Sequence, residues 1–107
     1  MRRGDVYWVD FEPARGGEIR KTRPAIIVSN DNANYRLNRL QVVPLTSSIT
    51  RVYPSDAIVS INGNPSKAVA NQIRTVTKER LGNRIGSIST RDMFAVERAL
   101  RMQLGLN

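Results

Sequence analysis

The chain has 107 residues, 40% of them apolar, and sets 17 Lys and Arg against 9 Asp and Glu for a net charge of +8. That length supports one domain, residues 1–107, around a modest core. The absence of Cys and His excludes disulfides, thiolate nucleophiles, imidazole acid–base chemistry and zinc sites of the usual kind.

The N-terminal MRRGDVYW has no apolar signal core, and no apolar run approaches the roughly 20 residues that a membrane span needs, so a cytoplasmic protein with no membrane contact is expected. Asp5–Phe11 alternates, with Tyr7, Val9 and Phe11 on one face of a first strand. The alternation also reads Tyr7 and Trp8 as core residues, leaving Tyr35 and Tyr53, in loops, as the better base-stacking candidates. Glu12–Arg23 is a loop containing Pro13, Gly16 and Gly17, with one acid, Glu18, among Arg15, Arg20, Lys21 and Arg23. Pro24–Asn30, PAIIVSN, reads as a buried strand. Asp31–Asn38 is polar and fits a single helical turn. Leu40–Thr46 is a third strand, in which Pro44 implies an edge position or a bulge. Ser55–Ile61 is a fourth, followed by the turn signal NGN. Lys67–Val76 is a fifth strand and Asn83–Ile88 a short sixth.

From Ser89 the period changes. Met93, Val96, Leu100 and Leu104 recur at helical spacing, Ser89 and Asp92 fit a capping box, and Gly105 is a suitable stop. The reading is a mainly β fold with a C-terminal α-helix: a small, strongly bent antiparallel barrel with the helix packed on it.

Arg supplies 14 of the 17 cations. Its planar fork binds phosphate bidentately and stacks on bases, which favours a nucleic acid over an acidic protein partner, and no helix pairs a basic face with a large apolar one as a membrane surface would require. Candidate chemistry lies at strand ends. In antiparallel neighbours the start of one strand lies beside the end of the next, so Arg23, before the second strand, and Thr46, ending the third, converge at one rim of the sheet. Gln72, an amide within an apolar strand, needs partners and is read as ordering a neighbouring loop.

The segments RRGDVYWVDFEPARGGEIRKTRPAIIVSNDNAN, VVPLTSS, YPSDAIV, NQIRTVTKERL and IGSIS…ALRMQLGL together resemble the MazF/PemK family of toxin–antitoxin ribonucleases, from Arg3 to Leu106. The resemblance implies an SH3-like small barrel of the MazF/PemK/CcdB type, a homodimer, and sequence-specific cleavage of single-stranded RNA with neither metal nor cofactor. It also implies a cognate antitoxin whose acidic, partly disordered tail occupies the RNA groove. By position it makes Arg23 and Thr46 catalytic, with Glu18 as the loop acid that some members are thought to use. Arg20, Lys21, Ser47, Asn71, Gln72 and Arg74 fall at or near RNA-binding positions. One departure matters: Asn71 and Val69 stand where the plasmid-encoded branch has an acid and an Arg, so that branch's base cannot transfer.

Cleavage of RNA needs no external nucleophile, because the 2′-OH lies beside the phosphate. Arg23 suits a clamp on the pentacoordinate phosphorus, since a guanidinium does not yield its proton in proteins. Thr46 would donate to phosphate or position the 2′-OH, and Glu18 is the candidate for proton removal. Two other readings remain open at this point. A gyrase poison on the same barrel uses an aromatic C-terminal tail, whereas this sequence ends QLGLN; a plain nucleic-acid-binding barrel would have no chemistry.

Overall fold

The computed structural model describes all of Met1–Asn107. Seven strands form one antiparallel system: β1 (Asp5–Asp10), β2 (Thr22–Ile27), β3 (Arg39–Thr46), β4 (Asp56–Ile61), β5 (Asn64–Val69), β6 (Arg74–Thr77) and β7 (Leu81–Ser87). Their order is β4-β5-β3-β2-β1-β7, with β6 added to β3 off this path. Two helices, α1 (Asp31–Arg36) and α2 (Thr90–Leu104), complete the chain. The result is a bent half-barrel sheet closed by a C-terminal helix, as expected. No helix is long and apolar enough to cross a membrane.

The apolar runs AIIV and VVPL are continuous because their strands are buried on both faces. Ile26, Val28, Val43 and Leu45 enter a larger core with Val6, β4, β5 and α2. Ala25, Ile27, Leu40 and Val42 alternate with them into a smaller core with Val9, Phe11 and Val76. β1 serves both cores: Val6 joins the first, Val9 and Phe11 the second.

β3 is the central strand, so Pro44 does not mark an edge. It pairs with Ala25 of β2 on one side. On the other side it falls between the last β6 pair, Val42 with Arg74, and the first β5 pair, Leu45 with Ala68. A residue without an N–H is tolerated where the ladder changes partner.

The fifth strand foreseen over Lys67–Val76 is two strands, β5 and β6, separated by a 3₁₀ turn at Ala70–Gln72. β5 also begins earlier, at Asn64, the last residue of NGN. Asn62 and Gly63 both take positive φ, at 49° and 84°, which is the two-residue turn that keeps Ile61 opposite Asn64.

α1 is a six-residue helix whose Asn30 cap accepts the Ala33 N–H. α2 forms where its period indicates. Ser89 Oγ accepts the Asp92 N–H at 3.1 Å, and Gly105 closes the helix at φ 69°. Only half the capping box forms, because the Asp92 carboxylate accepts the Ser60 N–H of β4 at 2.8 Å instead. Met93, Val96 and Ala99 are buried and Leu100 packs against them; burying a side chain such as Val96 stabilises by about 1.5–3 kcal/mol. Leu104, the last residue of the foreseen stripe, is exposed.

Candidate active site

Arg23 lies on β2 opposite Val9, and Thr46 ends β3 opposite Lys67. Both line one cleft of about 280 Å³ with Trp8, Thr22, Pro24, Leu45, Ser47 and Ser66. The strand geometry that brings the start of β2 beside the end of β3 thus places a guanidinium and a hydroxyl in a shared space. Arg23 is half-buried. Its Nε donates to the Arg20 carbonyl at 3.3 Å, which orients the fork and leaves its two terminal nitrogens for a ligand. Thr46 Oγ1 accepts the Ser48 N–H at 3.2 Å, so its own hydrogen remains available for donation into the cleft.

A second cavity, of about 410 Å³, is lined by Phe11, Gly17, Glu18, Ile19, Pro44, Asn71, Gln72, Ile73 and Arg74. Pro44 here and Thr46 in the first cleft are two residues apart on β3, about 7 Å along a strand. Arg74 is fixed by donating from Nη1 to the Phe11 carbonyl at 3.0 Å and by lying over the Phe11 ring, 5.8 Å from its centroid.

The β1–β2 loop forms one wall of the second cavity and is tied down at several points. Gln72 bridges it: Oε1 accepts the Ile19 N–H at 3.4 Å and Nε2 donates to the Gly17 carbonyl at 3.3 Å. This is the loop-ordering role its position in the sequence suggested. Arg80 donates from Nη1 to the carbonyls of Asp10, at 3.1 Å, and Glu12. The Lys21 N–H reaches Glu12 Oε1 at 2.7 Å.

Glu18 accepts the Arg15 N–H at 2.6 Å and is exposed. The structure does not bring it into the cleft of Arg23 and Thr46. The exposed side chains of Arg20 and Lys21 line neither space. Ser47 joins the first cleft; Asn71, Gln72 and Arg74 join the second.

Trp8 departs most from the sequence reading. It is 43% exposed and stands in the first cleft, not in the core. The pairing of β1 with β7 explains this. Tyr7 is opposite Arg84 and Val9 opposite Leu81, so two residues, Gly82 and Asn83, face the single residue Trp8. Such a bulge bends β7 and increases the local twist, and Trp8 keeps the outward face it shares with the exposed Asp10. The glycines inside β7 were the available signal. Tyr35, which is exposed, lines a different pocket with Met1, Arg2, Asp31, Asn34 and Lys78. Tyr53 is exposed, and its hydroxyl accepts from Arg51 Nη1 at 3.3 Å.

The family model described as PemK-like, MazF-like toxin of type II toxin–antitoxin systems matches residues 2–104. This chain belongs to the PemK/MazF toxin family. Endoribonuclease MazF9 of Mycobacterium tuberculosis is 42% identical to it, over 99% of this chain and 98% of that protein. Endoribonuclease MazF of Staphylococcus epidermidis is 33% identical, over 100% and 93%. Among solved structures, a mycobacterial endoribonuclease in complex with its cognate antitoxin superposes with a TM-score of 0.85 at 27% identity, covering 100% of this chain and 97% of that one. MazF of Deinococcus radiodurans gives 0.86 at 23% identity, over 99% and 97%. Against the PemK/MazF pattern, Asn71 is exposed on the rim of the second cavity and Val69 closes β5, so neither position offers an ionisable group.

Proposed function

We propose that this chain is the toxin of a type II toxin–antitoxin pair and acts as a metal-independent endoribonuclease on single-stranded RNA at short sequence motifs. The observation that carries this reading is the cleft shared by Arg23 and Thr46. The substrate's 2′-OH gives its proton to water as its oxygen attacks phosphorus, the bond to the 5′-oxygen breaks, that oxygen takes a proton from water, and the products are a 2′,3′-cyclic phosphate and a 5′-OH. Arg23 places two parallel N–H groups on the non-bridging oxygens as charge builds on the phosphorane. Thr46 donates a third hydrogen bond or fixes the 2′-OH. The nucleophile is supplied by the substrate and the charge is met by a guanidinium, so positioning and electrostatics carry the rate and turnover is slow.

The second cavity extends the groove along the strand: Arg74 meets a flanking phosphate, while Gln72 holds the β1–β2 loop against it. The chain works as a homodimer. Its cationic groove also receives the acidic, partly disordered tail of an antitoxin, so inhibitor and substrate compete and both weaken with salt. Support for the antitoxin comes from the structural relative that was solved with its own.

The test is incubation of the purified protein with a long single-stranded RNA in excess EDTA. Discrete fragments ending in 2′,3′-cyclic phosphate are expected. Intact RNA, with tight binding, would leave only a nucleic-acid-binding barrel.

A further inference from the structure

We propose that Trp8 is a nucleobase platform beside the phosphodiester held by Arg23 and Thr46, an inference that rests on the RNA-cleaving reading above. The lining of the cleft is chemically mixed: the exposed indole of Trp8, with Pro24 and Leu45, stands among the guanidinium of Arg23 and the hydroxyls of Thr22, Thr46, Ser47 and Ser66. A nucleotide presents both kinds of surface, a flat base and an anionic phosphate.

The exposure of Trp8 is built into the backbone. Trp8 is the direct partner of Pro24 across β1 and β2, and on its other side β7 has Gly82 and Asn83 opposite it. A Cβ at Gly82 would lie 3.5 Å from Trp8 Cβ, in ordinary van der Waals contact, so β7 runs directly beside the base of the Trp8 side chain. Val6, two residues earlier on β1, is fully buried. The sheet therefore holds a large aromatic ring in water in the cleft that Arg23 and Thr46 also line. The other large apolar side chains exposed near the C-terminus, Phe94, Met102, Leu104 and Leu106, line no part of this cleft, which separates the indole from any apolar protein-docking face there.

Stacking is tolerant of base identity. Trp8 accordingly adds affinity and orientation at one nucleotide without setting the cleavage motif.

Trp8 is the chain's sole tryptophan, so its emission reports this cleft alone. Cut sites are first mapped with the full-length protein. A single-stranded RNA of the mapped motif, blocked by 2′-O-methylation at the cut nucleotide, is then titrated into it. Tryptophan emission is expected to change saturably, with the same Kd as fluorescence anisotropy of a labelled copy of that RNA. Trp8→Ala is expected to weaken binding about tenfold, and Trp8→Phe to recover most of that loss. In cleavage the loss falls on KM more than on kcat, and the motif is unchanged. Cutting by the wild type with emission indifferent to RNA would overturn the platform while leaving the ribonuclease reading intact. If no cut site is found, a generic single-stranded RNA is titrated instead, and saturable quenching by it would support the base platform and remove the ribonuclease reading. Emission that responds to protein concentration but not to RNA would assign the indole to a second copy of this chain and overturn the proposal; absence of any RNA binding would overturn both readings.

Discussion

Replacing Arg23 tests the clamp quantitatively. Of its five N–H groups, the one on Nε is engaged by the Arg20 carbonyl, leaving the four on the terminal nitrogens. Two of these can run parallel to the non-bridging oxygens. A hydrogen bond to a charged group is worth about 1.5–3 kcal/mol, so two amount to roughly 3–6 kcal/mol of transition-state stabilisation, or about 10²–10⁴ in rate at 1.36 kcal/mol per factor of ten. Loss of one preorganised oxyanion donor elsewhere costs about 10²–10³ in kcat, which overlaps the lower part of that range. Arg23→Ala should therefore reduce single-turnover cleavage by at least about a hundredfold. Arg23→Lys restores a positive charge but no fork, and should regain only about tenfold of the loss. Arg23 is half-buried at a strand start, so thermal unfolding should shift by no more than surface substitutions do, about 0.5 kcal/mol. Single-turnover cleavage of an end-labelled RNA by folded variants reads both quantities. An Ala variant within about threefold of wild type would refute the two-bond clamp, because even one such bond is worth more than that.

Glu18→Gln should keep most of its activity, because the side chain's accepted bond from Arg15 is retained and the cleft lies elsewhere; a fall of more than about a hundredfold would make Glu18 the base. Lys67 is largely buried and joins Asp56 at 3.8 Å and the Arg51 carbonyl at 2.8 Å, next to Thr46 in the strand register. Lys67→Met should destabilise by about 3 kcal/mol, since it leaves the buried Asp56 without its cation; denaturant melts check this. The Asp31 carboxyl is held below its usual value chiefly by the Arg3 N–H, which donates to it at 2.7 Å. Its contribution to stability is therefore full above the ordinary carboxylate range and is lost as pH falls through the lowered value. Asp31→Asn should flatten that part of the acid-side dependence of thermal unfolding. Binding of the blocked RNA should fall linearly on a logarithmic salt scale, with the slope reduced when Arg74→Ala removes a phosphate contact.

How much of this was legible in the sequence depended on how local each signal is. The Ser89 cap, the Gly105 stop and the Met93–Val96 spacing are written within single segments, and α2 formed where they indicated. The runs AIIV and VVPL announced buried strands. The chain-order argument for Arg23 and Thr46 needed only antiparallel neighbours, and the two residues do share a cleft. What failed depended on a partner segment. Trp8 shares a face with Val6, which is buried in the larger core, yet its own side chain is exposed where β7 has two residues opposite it. Pro44 resembles an edge residue until β5 and β6 are seen to divide one side of β3 between them. The run Lys67–Val76 has an even strand-like composition, and the turn that splits it lies at Ala70–Gln72, where Gln72 reaches the β1–β2 loop. Glu18, close to Arg23 in sequence, faces a different cavity because that same loop is anchored by Gln72 and Arg80.

The most direct measurement compares two RNAs that differ by one oxygen. A mapped cleavage substrate is made with 2′-deoxyribose at the single cut nucleotide, and both versions are incubated with the protein in EDTA. If the 2′-oxygen is the nucleophile that Arg23 and Thr46 serve, the ribose version yields a cyclic phosphate and the deoxy version stays whole while still binding. Cleavage of the deoxy substrate at the same bond would mean that water or a protein group attacks phosphorus, and the proposed roles of both residues would be wrong.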